Sequence, residues 1–226
     1  MELRPIRKED YQFVLELDKL IYPTDSPVTL EDVGRWYKYN PEFGMVYEEN
    51  GSIVGISVVI PLNSEGWKQI TEGKISESGI TDEMIFNPLK DKELGIYMYH
   101  IEKFERNALA PIREFYKTVI RDLAVIVNKL RSKHKKLKIL GFAGLAVTKE
   151  GIILCEDKLG CKERSYICDE HVLKKEGKKY VVKADQMHLK QIIEPKIKDG
   201  YSYITRCKML VTYPGEKSII WEYIKP

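Results

Sequence analysis

Hydrophobic residues recur along the chain with two periods, and these predict helices and strands in a definite order. Helical spacing marks an early segment, 10–21, and a longer one, 112–130, whose apolar stripe is continuous. Apolar runs typical of strands cover 3–6, 43–48, 52–62, 94–104 and 140–147. Asn50-Gly51 lies between two of these runs and predicts a tight β-hairpin, because both residues tolerate positive φ.

Polar residues at segment ends predict where two further helices begin and end. Thr29, with Asp32 three residues later, resembles a capping box that opens a helix through Tyr39. Thr148 is a candidate N-cap for a short helix that ends at Gly160.

The remaining segments carry weaker patterns. Residues 63–93 are expected to form an insertion over the sheet, with a short helix over 64–73. Beyond Gly160 we predict strands over 165–173, 179–184, 200–213 and 218–224, and a helix over 185–193.

Composition limits the class of protein. The chain has 226 residues, of which 43% are hydrophobic and 31% charged, values ordinary for one globular domain. The longest apolar runs, such as 53–62, are too short to cross a bilayer, which argues against a membrane partner. The N-terminal MELRPIRKED lacks an apolar signal core, so a cytoplasmic location is expected.

Cysteine spacing and charge argue against a metal site and against a nucleic-acid partner. Cys155, Cys161, Cys168 and Cys207 show no CxxC spacing and no matching histidine pair, and reduced core thiols are the simpler interpretation. The formal charge is only +3. The basic run 131–138 follows the long helix, where it complements the helix dipole, and contact with a cofactor phosphate or nucleic acid is the alternative.

The order of elements through residue 160 resembles that of the GNAT superfamily of acyl-CoA-dependent N-acyltransferases. Two segments carry the likeness: 99–113, where the fourth strand meets the long helix, and CEDKLGC at 155–161, which is similar to the family's L-Y-E-K-L-G-F. The resemblance implies an α/β (α+β) fold, with a mixed, largely antiparallel sheet flanked by helices and with splayed fourth and fifth strands. It also implies one domain over 1–226, with the insertion at 63–93 and a C-terminal extension after about 165.

In this family the thioester arm of acyl-CoA lies between the splayed strands, and the pyrophosphate sits where the long helix begins, as helix N-termini favour anions. The family's loop, Q/R-x-x-G-x-G/A, corresponds here to Glu105-Arg-Asn-Ala108-Leu-Ala110. Alanine replaces glycine at 108, and glutamate stands at 105, so Arg106 or Arg113 would supply the positive charge. The residues expected to contact acyl-CoA are Ile101, Lys103, Arg106, Asn107, Ala108, Leu109, Ala110 and Arg113.

Acyl transfer to an amine needs a proton acceptor, donors for the oxyanion and a proton for the leaving thiolate. The resemblance implies Glu102 as the base; pairing with Lys103 or Arg106 is the structural alternative. Strand alternation places Glu102 and His100 on one face and Tyr97 and Tyr99 on the other.

Two further roles follow from the resemblance. Glu156 takes the position of the tyrosine that often protonates the thiolate, and Tyr99 or solvent are other proton donors. Tyr22 and Asp25 occupy the loop where the family's acceptor binds, and an ordinary loop between two helices is the alternative.

The function implied is transfer of an acetyl or similar acyl group from acyl-CoA to an amine, by direct attack in a ternary complex. The expected partners are acyl-CoA and an unidentified amine acceptor; a homodimer is compatible with the sequence. The alternative is a GNAT-fold module that binds CoA or another ligand without turnover, in regulation or assembly.

Overall fold

The apolar runs form strands and the helical stripes form helices in a computed structural model, which describes residues 1–21, 28–104, 112–167, 172–176, 179–181, 195–198, 201–204 and 207–224. The strands are β1 Glu2–Pro5, β2 Gly44–Glu49, β3 Ser52–Leu62, β4 Glu93–Lys103, β5 Lys138–Ala146, β6 Lys162–Ile167, β7 Val172–Glu176, β8 Lys179–Val181, β9 Pro195–Lys198, β10 Tyr201–Ile204 and β11 Cys207–Thr212. The helices are α1 Tyr11–Ile21, α2 Leu30–Trp36, α3 Ser64–Thr71, α4 Ile112–Lys133, α5 Lys149–Ile153 and α6 Ile219–Tyr223.

A mixed seven-stranded sheet organises the fold, in the order β1-β2-β3-β4-β5-β11-β6. Its neighbours pair antiparallel except β4 and β5, which are parallel because α4 carries the chain from one to the other. Strands β7 to β10 form a second, four-stranded sheet in the order β8-β7-β10-β9. The fold class expected from the sequence is therefore confirmed.

Turn and capping residues lie at several ends of helices and strands, as the sequence predicts. Asn50 and Gly51 both have positive φ, 52° and 79°, and join β2 to β3. The Thr29 hydroxyl accepts from the Asp32 amide at 3.2 Å, and the Asp32 carboxylate accepts from the Thr29 amide at 2.9 Å, closing the capping box. Helix α5 continues as a π-helical turn over Leu154–Lys158, and Gly160 follows at φ 71°.

Two layers of helices cover the sheet. On one side, here the α4 face, the ring of Phe115 meets that of Tyr47 at 5.0 Å between centroids, and the Tyr47 hydroxyl donates to Asp122 at 3.0 Å. The opposite side, here the α1–α3 face, is covered by α1, α2 and α3, and the ring of Trp36 in α2 lies 5.3 Å from that of Tyr99 in β4.

The predicted helix over 64–73 is confirmed as α3. The ring of its Trp67 packs against two glycines of the sheet. Gly95 of β4 and Gly141 of β5 are paired across the parallel strands. A Cβ atom at either glycine would lie 2.7 Å from the Trp67 ring, at Cδ2 for Gly95 and Cζ2 for Gly141. The two glycines therefore give this ring direct contact with the sheet.

The C-terminal predictions are only partly correct. The strand expected over 218–224 is wrong: these residues form α6, because the Ser218 hydroxyl caps the Ile220 amide and buried Ile220 and Ile224 recur at helical spacing. The helix expected over 185–193 lies outside the described residues.

The predicted end of one N-terminal helix also differs from the structure. Helix α2 ends at Trp36, before the predicted Tyr39.

Candidate active site

Strands β4 and β5 separate near their carboxyl ends. Their last paired residues are Met98 and Gly144, although β4 continues to Lys103 and β5 to Ala146. From Phe142 to Ala146, β5 pairs on its other side with β11. A gap therefore opens between the two strands immediately before the chain turns toward α4, and the predicted splay is confirmed.

A bulge in β4 lies at the same level. Val58 of β3 pairs with His100, and the next residue, Val59, pairs with Met98, so Tyr99 is an extra residue in the strand. The extra residue interrupts the alternation of side chains. The expected separation of Tyr97 and Tyr99 from His100 is wrong, because all three make contacts on the α1–α3 face.

Asp18 of α1 is the centre of these contacts. The Tyr99 hydroxyl donates to Oδ1 of Asp18, and Nε2 of His100 lies 3.4 Å from the same oxygen. The rings of Tyr99 and His100 meet edge to face at 4.4 Å. Asp18 is 2% exposed and His100 3%, so a buried carboxyl group contacts two side chains from one bulge.

The segment 63–93 adds a second carboxyl group to this face. Glu77, in the 3-10 turn Glu77–Gly79, accepts a hydrogen bond from the Tyr97 hydroxyl. Burial raises the pKa of Glu77, the bond from Tyr97 lowers it, and the charges of Asp18 and His100 respectively raise and lower it. Glu77 thus belongs to the same electrostatic environment as the Asp18 contacts.

Glu102 follows His100 by two residues, and the pairs His100–Val58 and Glu102–Ile56 place both on one face of β4, as predicted. Glu102 is half-buried beside the gap. Burial raises the pKa of its carboxyl, while the charge of His100 lowers it. Ile101 and Lys103 pair with Ser57 and Gly55 and occupy the other face.

The structure places Glu156 away from these groups, on the π-helical turn. Its carboxylate lies 3.2 Å from Nζ of Lys208 in β11, and the same nitrogen lies 3.5 Å from Glu163. The preceding residue, Cys155, reaches the gap instead: its Sγ would lie 3.7 Å from a Cβ atom on Gly144. Burial raises the pKa of the Cys155 thiol to about 12, so the thiol stays neutral.

Several predicted residues cannot be placed. Tyr22 and Asp25 lie outside the described residues, as do the loop residues Arg106, Asn107, Ala108, Leu109 and Ala110. Arg113 lies in the first turn of α4, and its side chain is outside the description. Tyr99, Ile101, Glu102 and Lys103 follow one another at the end of β4, and Glu156 lies apart from them.

Sequence reasoning missed Asp18 and Glu77. A signal for Asp18 exists: it lies four residues after Val14 and three before Ile21, within the apolar stripe of α1, where a charged residue requires a partner. Glu77 has no such signal, because its turn carries no periodic pattern. Its role depends on a contact with Tyr97, 20 residues away.

Among the residues that the structure describes, no group of three or more His, Cys, Asp or Glu side chains could hold a metal ion. No helix in that part of the chain is long and apolar enough to span a bilayer. An open cleft of about 500 Å³ lies at the start of β4, lined by Ser64, Lys90, Asp91, Lys92 and Glu93, at the end of the strand opposite Glu102.

Several solved structures resemble this chain at low sequence identity. Ard1 of Thermoplasma volcanium is 13% identical, with 94% of this chain and 96% of that chain covered and a TM-score of 0.42. Naa50 of Arabidopsis thaliana, in complex with the bisubstrate analogue CoA-Ac-MVNAL, is 11% identical, with coverages of 93% and 97% and a TM-score of 0.43. Ribosomal-protein-alanine N-acetyltransferase of Brucella melitensis is 13% identical, with coverages of 94% and 99% and a TM-score of 0.41.

No protein-family model matches the chain, and no curated protein matches it. The strand order, the parallel β4–β5 pair and the gap that opens after Met98 belong to this chain's own structure, and they match the sheet that its sequence predicts.

Proposed function

We propose that the protein is a GNAT-type N-acyltransferase, which moves an acetyl or similar acyl group from acyl-CoA to an amine in the cytoplasm. The observation that carries this proposal is the gap between β4 and β5, which opens beside a half-buried carboxyl group, Glu102. A thioester in the gap would lie beside β4, beyond its last pair with β5, with the amine approaching from the α1–α3 face.

The residues around the gap fit the slender arm of an acyl-CoA. Gly144 lies at its closed end, and Ala143 and Ala146 flank it on β5. A Cβ atom at Gly144 would lie 3.3 Å from the Met98 carbonyl oxygen, so the glycine keeps the two backbones close where they separate. Beyond them, the arm would run alongside residues 99–103 of β4, past the last pair with β5.

In the proposed reaction Glu102 accepts a proton from the amine, directly or through one water, as the new N–C bond forms. Its raised pKa suits this role, because burial makes the carboxylate a stronger base. Backbone N–H groups between Ile101 and Lys103 would donate to the oxyanion. When the C–S bond breaks, the CoA thiolate leaves and takes up a proton.

Glu156, Tyr99 and solvent are the candidate sources of that last proton. Glu156 lies 3.2 Å from Lys208, and it would have to leave Lys208 and take up a proton before it could donate one. The Tyr99 hydroxyl could donate only after giving up its bond to Asp18. Solvent protonation needs neither rearrangement, and a thiolate is a good leaving group, so the transfer does not depend on either side chain.

The first test is thermal unfolding with and without millimolar acetyl-CoA, with CoA and ATP as controls. A ligand that binds only the native state raises the melting temperature by mass action. We expect a shift with acetyl-CoA and with CoA, and none with ATP. Turnover of acetyl-CoA in an amine screen completes the test, and the absence of both shift and turnover would contradict the proposal.

Closing the gap should weaken binding of acyl-CoA. Gly144→Val places a branched side chain against Met98 and Cys155, and we expect the Kd for acetyl-CoA to rise roughly tenfold, or about 1.4 kcal/mol. Gly144→Ala, whose single methyl fits with a small shift, serves as the matched control with a smaller effect. Calorimetric titration of both variants measures this, and wild-type affinity in the valine variant would mean that the arm lies elsewhere.

The alternative is a module that binds CoA, or another ligand, without turnover. One observation favours it: the position that the family often fills with a proton-donating tyrosine holds Glu156, which is paired with Lys208. Such a module would show the thermal shift with acetyl-CoA and CoA but would release no free thiol from acetyl-CoA with any amine. The thiol assay therefore separates the two functions.

A further inference from the structure

We propose that Asp18 is a positioning residue: from α1 it holds the bulge of β4, and through the bulge it fixes the open edge of that strand and Glu102. No sequence pattern of the transferase assigns a role to this residue. The inference rests on the proposed acyl transfer for its catalytic consequence, and on the contacts of Asp18 alone for its structural part.

The bulge makes these contacts possible. In a regular strand, Tyr99 and His100 would point to opposite sides of the sheet. The extra residue turns both toward α1, where they meet the same oxygen, Oδ1 of Asp18. The carboxylate therefore joins two consecutive residues of β4 in an arrangement that exists only while the bulge is formed.

Burial makes the arrangement selective. Asp18 is 2% exposed, and a buried carboxylate that loses its partners is strongly unfavourable. Any slip of β4 that returned Tyr99 to regular pairing would remove one of the partners. The conformations open to the bulge are therefore few.

The position of the bulge gives this restraint its consequence. Residues 99–103 follow Met98, the last residue of β4 that pairs with β5, and their strand pairing within the described residues is with β3. Contacts across the faces of the sheet therefore add to what holds this end of the strand. Asp18 supplies such contacts two residues before Glu102, whose proton-accepting group must be placed to within a fraction of an ångström.

The chain contains a matched control. Asp122 of α4 also accepts from a tyrosine, Tyr47 of β2, at 3.0 Å, but on the α4 face. Asp122 is half-buried, and burial raises the pKa of its carboxyl. Asp122→Asn and Asp18→Asn each replace a carboxyl that accepts a hydrogen bond from a tyrosine, and only the second touches the bulge.

The test compares Asp18→Asn, Asp18→Ala and Asp122→Asn by hydrogen–deuterium exchange and by steady-state kinetics. In Asp18→Asn we expect the peptide 97–104 to exchange about tenfold faster than in the wild type, because the strand end opens more often. We also expect kcat to fall about tenfold with the KM for acetyl-CoA within about twofold. Asp122→Asn should change neither, and Asp18→Ala should exceed Asp18→Asn in both; if the alanine variant does not fold, the asparagine variant decides.

The outcomes separate the two proposals. Wild-type exchange of 97–104 in Asp18→Asn, or a fall in kcat no greater than in Asp122→Asn, overturns the role of Asp18 and leaves acyl transfer standing. The wild-type protein could instead transfer no acyl group while the peptide 97–104 still exchanges faster in Asp18→Asn. That result overturns acyl transfer and supports the structural role of Asp18.

Discussion

Replacing Glu102 by glutamine is expected to lower the turnover number for acyl transfer by roughly 100-fold, within the range for loss of a general base. Glutamine keeps the size of the side chain and its half-buried position but cannot accept the proton of the amine. The KM for acetyl-CoA should change little, because the proposed contacts of the thioester arm are with the backbone. Initial rates by release of free thiol, across amine concentrations, measure the effect.

Glu93→Gln is the matched control, at the opposite end of β4, where Glu93 pairs with Lys138 at 3.0 Å on the surface. It should retain wild-type turnover. The pH profile gives a second readout: burial raises the pKa of Glu102, so activity should fall on acidification at a pH above the usual range for glutamate. Unchanged turnover in Glu102→Gln would remove this residue from the mechanism.

Replacing Trp67 by alanine should lower the free energy of unfolding by about 3–5 kcal/mol, the usual cost of deleting a large buried aromatic side chain. The expected cost is high because of what lies beneath the ring. Gly95 and Gly141 have no side chains that could move into the space. For a protein of this size the melting temperature should fall by roughly 10 °C.

Chemical denaturation with urea measures this difference, and Leu89→Ala is its control. Leu89 is 88% exposed, so its removal should leave the unfolding midpoint where it is. If Trp67→Ala unfolded at the wild-type midpoint, α3 would not be part of the cooperative core. The prediction that the insertion at 63–93 packs on the sheet would then be wrong.

The parts of the fold predicted correctly from the sequence depend on local patterns. The β2–β3 hairpin follows from Asn50-Gly51, whose positive φ angles are a property of these residue types. Helix α4 follows from a continuous apolar stripe, and the end of the π-helical turn that continues α5 follows from Gly160. Each signal lies within a few residues of the structure that it determines.

The parts that were missed depend on contacts between distant segments. The bulge at Tyr99 is a difference in register between two strands, and nothing in β4 alone marks it. Its partner Asp18 is 81 residues away from Tyr99 along the chain. The prediction of a strand over 218–224 was wrong for a related reason. The apolar residues of so short a segment fit both the helical and the strand period, and the Ser218 cap and packing against the core favour the helix.

The pairing of β6 with β11 has a consequence for how this protein could diversify. Ile167 at the end of β6 pairs with Cys207 at the start of β11, so the chain leaves the main sheet and returns to it at one pair of residues. The length of the segment between Ile167 and Cys207, which includes β7 to β10, therefore does not affect the order and register of the seven strands. This segment could lengthen, shorten or be exchanged among descendants of this sequence, while the gap and Glu102 kept their geometry.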